Sequence, residues 1–227
     1  MDKRFSGRTA LITGSASGIG AATAALLQAE GARIIGVDLS QGRDVASPDM
    51  WNALASELVD TDIAVVNAGI ATAGQIADID FADWRRTLSV NLDGAMLTLR
   101  AAMRAMIAHG RGGAIVVTAS ISGIKAEPGV GAYGASKAGV IQLARIAAKE
   151  GAPHAIRVNA IAPGGVDTPI WDDVDFFPAM IAEQDRRPRQ PRGCNRCDGE
   201  SRNAARPLGQ RRRNRAPDCI PAVGRCC

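Results

Sequence analysis

Five short runs of apolar, largely β-branched residues limit what this chain can fold into more than any other feature. They lie at 9–13, 33–37, 63–66, 114–118 and 156–160, and stretches of helical spacing separate them. A half-exposed strand alternates apolar and polar residues. These runs are continuous, as in strands covered on both faces of a parallel sheet. Parallel neighbours need crossovers, and the repeated strand–helix order makes those crossovers right-handed. The fold class is therefore α/β, a doubly wound parallel β-sheet with helices on both faces.

The helical stretches have readable ends. Residues 19–29 are Ala- and Leu-rich, and Gly31 stops them. Residues 50–59 follow Ser47-Pro48, a cap and a first helical position. One long helix is predicted over 81–108, closed by His109-Gly110, and another over 132–150. The second unit is compressed. Only residues 39–43 separate the second strand from Asp44-Val45, too few for the usual helix.

The chain has 227 residues, enough for one large domain, with 46% apolar and 22% charged residues. No run approaches the roughly 18 apolar residues of a membrane span. The start, Met1 to Phe5, has no apolar signal region. A cytoplasmic protein without a membrane partner is the expectation. The net charge of +4 sums two unlike segments: residues 1–183 carry −4 and residues 184–227 carry +8, with 12 arginines in the latter. All five cysteines (Cys194, Cys197, Cys219, Cys226, Cys227) fall in that second segment, so the body is no disulfide scaffold.

Residues 1–183 read as the folded domain and 184–227 as an Arg/Cys/Pro-rich tail. Leu208, Ile220 and Val223 are the tail's only large aliphatics, too few for a core. Such a composition is what an out-of-frame reading of GC-rich DNA yields; a genuine disordered basic tail is the rival. The arginines suit phosphates of RNA or DNA, yet nucleic acid is not the expected partner of the domain. Cys194-x-x-Cys197 with Cys226-Cys227 lacks the second C-x-x-C and any histidine, so no metal site is expected.

The turn after the first run is Thr13-Gly14-Ser15-Ala16-Ser17-Gly18-Ile19-Gly20. Glycines there let the backbone turn tightly and approach a pyrophosphate, which the following helix N-terminus attracts. A tight βα turn without a ligand is the plainer reading. Asp38 ends the second run, 18 residues after Gly20. A carboxylate there accepts from ribose hydroxyls and repels a 2′-phosphate, favouring NAD over NADP. Leu39 and Ser40 offer no phosphate-binding cation, although Arg43 is near. Asn67-Ala68-Gly69 follows the third run, where small residues allow close passage and the Asn67 amide can tie neighbouring strands.

Tyr133-Gly134-Ala135-Ser136-Lys137 opens a helix and puts Tyr133 and Lys137 on one face. An ammonium beside a phenol lowers the phenol pKa and makes a proton donor and acceptor for a carbonyl/alcohol pair. A surface pair is the plainer reading. Ser120, 13 residues before Tyr133, can hydrogen-bond a substrate oxygen, with Ser122 as its alternative. Asn91, 29 residues before Ser120, either faces solvent or, if buried, needs partners.

Together, Thr13-Gly14-x-x-x-Gly18-Ile19-Gly20, Asn67-Ala68-Gly69, Asn91, Ser120 and Tyr133-x-x-x-Lys137 resemble the short-chain dehydrogenase/reductase family. Pro163-Gly164 and Thr168 continue the resemblance, which spans residues 5–183. It implies a Rossmann-like fold and an NAD(P)-dependent oxidoreductase acting on a secondary alcohol or ketone, with NAD the expected cofactor. It implies Tyr133 as catalytic acid/base and Ser120 as substrate-orienting hydroxyl. Lys137 would bind the nicotinamide ribose and lower the Tyr133 pKa, and Asn91 would hold a proton-relay water. Gly14, Ser17, Gly18, Ile19, Gly20, Asp38, Asn67, Ala68, Gly69, Pro163, Gly164 and Thr168 would contact or shape the cofactor site, and Asp44 would meet the adenine amino group. The compact second unit resembles that of hydroxysteroid and alicyclic alcohol dehydrogenases. The substrate loop is 170–180, with Trp171, Phe176 and Phe177 as an apolar wall.

Family members continue with two helices and a last strand, which are not legible after Glu183. The expected sheet therefore lacks its last strand, and the homo-oligomer usual in the family is in question. The alternative to an active enzyme is a catalytically inert remnant that at most binds nucleotide.

Overall fold

The computed structural model describes residues 3–166 and 168–171. Five strands form one parallel sheet: β1 (Thr9–Thr13), β2 (Arg33–Val37), β3 (Thr61–Val66), β4 (Gly113–Thr118) and β5 (Ile156–Ile161). Their spatial order is β2-β1-β3-β4-β5. The chain leaves β1 for β2 on one side and returns to β3 on the other. The loops after β1 and β3 therefore diverge and open a crevice at the carboxyl ends of the strands.

The helices are α1 (Gly18–Ala29), α2 (Pro48–Leu54), α3 (Phe81–Leu88), α4 (Gly94–His109) and α5 (Gly131–Gly151). One sheet face, through Leu11, Ala64, Ile115, Val117 and Val158, packs under Trp51 and Leu54 of α2, Leu99, Ala102 and Met106 of α4, and Val140 and Ala144 of α5. The other face, through Ala10, Ile12 and Val65, packs under Ala24 and Leu27 of α1. Residues of both faces in β1 and β3 are buried, which is why those runs are apolar without alternation.

The compressed second unit has a short helical turn, Leu39–Gln41, in place of a full helix. Val45, soon after it, is buried in the core. The Trp51 indole donates to the Val45 carbonyl at 2.9 Å, and a Cβ on Gly94 would stand 2.8 Å from a Val45 methyl. The predicted Ser47 cap is present: its hydroxyl accepts from the Met50 N–H at 3.2 Å. The helix that follows is shorter than predicted, giving way to a 3₁₀ turn at Ala55–Glu57.

The long helix predicted over 81–108 runs without interruption from Phe81 to His109, but not as a regular α-helix throughout. A π-helical turn, Ser89–Asp93, joins α3 to α4, with helical backbone at Leu88 and Gly94 on either side. Among the described residues the sheet ends at β5 and no helix is long and apolar enough to cross a membrane. The expectations for the 184–227 tail, including its cysteines and arginines, lie outside the described residues.

Candidate functional site

The glycine turn begins where β1 ends. Gly14 has φ of +65° and Gly18 of +51°, conformations that a side chain disfavours. The Gly14 N–H donates to the Val37 carbonyl at 2.8 Å, joining the turn to β2. Thr13 Oγ1 accepts from the N–H groups of Asn67 (2.9 Å) and Ala68 (3.1 Å), and Asn67 Nδ2 donates to the Thr13 carbonyl at 3.2 Å. The Asn67 amide thus ties the ends of β1 and β3 together. A Cβ on Gly14 would lie 3.0 Å from the Ala68 Cα, and one on Gly20 would collide with the Gly14 carbonyl oxygen. Ser17 begins α1 in extended conformation without using its hydroxyl as a cap. The first-turn N–H groups of α1 and its positive dipole end are thereby presented where the turn opens.

Asp38 lies at the end of β2. Its carboxylate accepts from the Ala16 N–H (3.0 Å), the Ser40 N–H (3.0 Å) and the Ser40 hydroxyl (2.7 Å). Burial opposes its ionisation, but these donors outweigh burial and hold the carboxyl below its usual range. Asp44, by contrast, is exposed and accepts from the Ala46 N–H at 2.9 Å in its own turn. Neither residue lines the cleft described below.

Across the crevice, β4 carries Thr118 and leads to Ser120, and α5 brings Tyr133 and Lys137. All three site residues are buried, at 5%, 4% and 3% exposure for Ser120, Tyr133 and Lys137, so a surface ion pair is excluded. Ser120 hydrogen-bonds the Tyr133 phenol and accepts from the Ser122 N–H at 3.2 Å. The Lys137 ammonium donates to the Thr118 carbonyl at 2.9 Å and stands 5.6 Å from the Tyr133 ring centroid.

The pKa directions differ from the sequence expectation. Burial pushes the Tyr133 phenol above its ordinary value, and the Ser120 bond opposes this without cancelling it. Burial also pulls the Lys137 ammonium down from 10.5 to about 8. Its charge is directed at the Thr118 carbonyl and is itself disfavoured by desolvation.

Asn91 sits in the π-helical turn at 1% exposure, which rules out the solvent-facing reading. Its Oδ1 accepts from the Ile70 N–H at 2.8 Å. Its Nδ2 donates to the Ile70 carbonyl at 2.9 Å and to the Ser136 hydroxyl at 3.1 Å. Ser136 in turn donates to the Tyr133 carbonyl at 2.7 Å. A Cβ on Gly69 would stand 3.2 Å from Asn91 Oδ1 and 3.4 Å from Lys137 Nζ, so Gly69 is the close passage between them.

These groups line one cleft that is open to solvent. Gly14, Ser17, Gly18 and Ile19 form one wall, Asn67, Ala68 and Gly69 the floor, and Ser120, Tyr133 and Lys137 the far wall. Pro163, Gly164 and Thr168 close the remaining side. A Cβ on Gly18 would approach the Thr168 Cβ to 3.3 Å, and the Ile121 N–H fixes the Pro163 carbonyl at 2.9 Å. Gly20 and Asn91 support the lining from behind. Ser122 does not line this cleft, so Ser120 holds the position for which both were candidates. Sequence reasoning missed Thr118, Ser136 and Ile70, which act through backbone or hidden hydroxyls, and named Thr13 only as part of the glycine motif without its hydroxyl's role. Thr13 alone carried a signal, as the polar end of an apolar strand. Val166, Pro169 and Ile170 also line the cleft. The side chains of Trp171, Phe176 and Phe177, expected to form an apolar wall, lie outside the described residues.

The donor set suits a dinucleotide. The Gly20 position admits no Cβ and the left-handed Gly14 leaves little room for one, the α1 N-terminus is positive, Asp38 is ionised, and an ammonium and a phenol stand at the far end. Among the described residues no group of three His, Cys, Asp or Glu side chains is placed to hold a metal ion.

A family model described as enoyl-(acyl carrier protein) reductase matches residues 14–197. The cis-4-hydroxycyclohexanecarboxylate dehydrogenase of Sinomonas cyclohexanicum is 39% identical over 194 residues, covering 75% of this chain and 78% of that protein. A short-chain type dehydrogenase/reductase from Mycobacterium marinum superposes with TM-score 0.70 at 34% identity, over 78% of this chain and 80% of that one. An NAD+-bound xylitol dehydrogenase superposes with TM-score 0.68 at 34% identity, over 71% and 72% respectively.

Proposed function

Because this chain belongs to the short-chain dehydrogenase/reductase family, and is thereby an oxidoreductase, we propose that it interconverts a secondary alicyclic alcohol and its ketone with NAD(H) as cofactor. The observation that carries this reading is the convergence of Ser120, Tyr133 and Lys137 on the cleft that the glycine turn opens. The ring alcohol follows the 39%-identical hydroxycyclohexanecarboxylate dehydrogenase, and NAD follows Asp38 together with the NAD+-bound neighbour.

Gly14, Ser17, Gly18, Ile19, Gly20, Asn67, Ala68 and Gly69 would hold the pyrophosphate and the centre of the dinucleotide. Asp38 would take the adenosine ribose hydroxyls, Asp44 the adenine edge, and Lys137 the other ribose. Pro163, Gly164 and Thr168 would cover the nicotinamide, which when bound supplies the acceptor or donor of a hydride. Ser120 holds the substrate oxygen. Tyr133 takes the hydroxyl proton as the alcohol is oxidised and returns it when the ketone is reduced. Lys137 places positive charge beside the phenol, which favours the phenolate once its own proton is retained. The Asn91 turn, one glycine away from Lys137, carries the relay by which the proton reaches solvent.

The test is a fluorescence titration of the full chain with NADH and NADPH, followed by turnover on a panel of cyclic secondary alcohols. Saturable NADH binding, tighter than that of NADPH, and NAD-dependent oxidation of a ring alcohol are expected. Tyr133→Phe should lower turnover by about 10²- to 10⁴-fold, the range of general acid–base catalysis, while NADH still binds. Turnover surviving that substitution would remove Tyr133 from the mechanism. NADH binding by a wild-type chain that turns over nothing would leave a nucleotide-binding remnant.

A further inference from the structure

At the adenosine end of the site, the free edge of the sheet carries a charge arrangement the motifs do not contain. β2 is an edge strand. The Val37 carbonyl turns inward to accept the Gly14 N–H. Carbonyls alternate in direction along a strand, so the Gly36 carbonyl, one residue earlier, points outward to the open edge. Arg43 covers it: Nη1 donates to the Gly36 carbonyl at 2.9 Å. Arg43 Nη2 meets the Glu57 carboxylate at 3.3 and 3.4 Å. The backbone of Arg43 is anchored elsewhere, with its N–H donating to the Asp38 carbonyl at 3.1 Å. The guanidinium thus hangs from a main chain that is tied to Asp38, while Glu57 and Gly36 hold it on the outer edge.

We propose that Glu57 is a positioning residue for cofactor choice: it keeps Arg43 away from the Asp38 side of the strand end, so that a 2′-phosphate there meets an uncompensated carboxylate. The inference rests on the reading of Asp38 as the ribose-binding group. Without Glu57, Arg43 retains only a neutral acceptor, the Gly36 carbonyl. A phosphate dianion offers a stronger, charge-assisted and bidentate partner. The released guanidinium either meets that phosphate or neutralises Asp38, and both routes favour the phosphorylated nucleotide. The nucleotide without the phosphate gains nothing from the change.

The experiment compares NADH and NADPH dissociation constants at low ionic strength for the full chain, Glu57→Ala and the double variant Glu57→Ala/Arg43→Leu. Glu57 is half exposed, in the Ala55–Glu57 turn. The ratio of the two constants is read, because general loosening weakens both nucleotides alike. In Glu57→Ala the preference for NADH should shrink about three- to five-fold, the worth of one exposed ion pair, with the NADH constant nearly unchanged. The double variant should return to the wild-type ratio, and about 0.5 M salt should erase the gain by screening. An unchanged ratio in Glu57→Ala, with the wild type binding NADH, overturns the inference alone. A gain that persists in the double variant also overturns it, since the lost Glu57 charge would then act without Arg43. If the wild type binds neither nucleotide, the underlying reading of the site falls and takes the inference with it.

Discussion

Burying the Lys137 ammonium opposes folding at neutral pH, and the sign of that effect can be measured. Its folded pKa, about 8, is below the ordinary 10.5. Between those values the unfolded chain binds more protons than the folded one, so stability rises with pH through that window. Below pH 8 both states are protonated and the full cost, about 3 kcal/mol, is present. The Thr118 carbonyl, 2.9 Å from Nζ, offsets part of it. Replacing Lys137 by Met removes this pH dependence. Urea unfolding of both proteins should show the wild type gaining about 2 kcal/mol relative to Lys137→Met between pH 7 and pH 9.5. Tyr133, whose raised pKa acts in the opposite direction at higher pH, is present in both proteins and cancels. A flat difference would mean that the ammonium is not desolvated as its 3% exposure implies. Turnover of the Met variant should be lost at every pH, since nothing else in the cleft places a cation beside the phenol. The direction of these shifts was not legible in the sequence. The i, i+4 spacing placed the two groups on one face, but whether burial or pairing dominates depends on what β4 and the turn after it bring against them.

The π-helical turn at Ser89–Asp93 shows the same limit for a whole element. Nothing local in Ser89-Val90-Asn91-Leu92-Asp93 marks a π turn inside the continuous helix that the spacing predicts. The widened turn goes with a partner 21 residues earlier, the Ile70 backbone, which Asn91 holds by both its N–H and its carbonyl. Elements whose cause is local were legible to within a few residues. The strands declared themselves by apolar runs buried on both sides, α1 by its glycine entry and exit, and α2 by the Ser47 cap. Asn91→Leu tests the cause assigned to the π turn. It leaves the Ile70 N–H, the Ile70 carbonyl and the Ser136 hydroxyl without their partner at a buried position, which should cost about 3 kcal/mol in urea unfolding. A loss under about 1 kcal/mol would show that the turn forms without the amide and that its origin lies in packing.

At the scale of the molecule, the cleft draws its walls from β1 and α1 on one side of the topological switch and from β4, α5 and the Pro163–Thr168 segment on the other. The order of the motifs along the chain was legible; their convergence depends on the strand order β2-β1-β3-β4-β5, which sets β1 beside β3 and β3 beside β4. A dinucleotide lying across that crevice touches both halves and stabilises only the state in which they are assembled. Binding must therefore appear as stability by mass action. At a concentration about 100 times its dissociation constant, NADH should add about 3 kcal/mol, which for a chain of this size raises the unfolding midpoint by about 5–10 °C. NADPH at the same concentration should raise it less, because Asp38 disfavours its phosphate. Calorimetry adds a further constraint. A ligand that bridges β1 and α5 should move one transition as a unit, whereas a nucleotide held by the glycine turn alone would shift an early or a late component and leave the other in place. A single transition displaced by NADH means that the two walls act as one site; an unmoved transition with both nucleotides would show that the cleft does not take a dinucleotide.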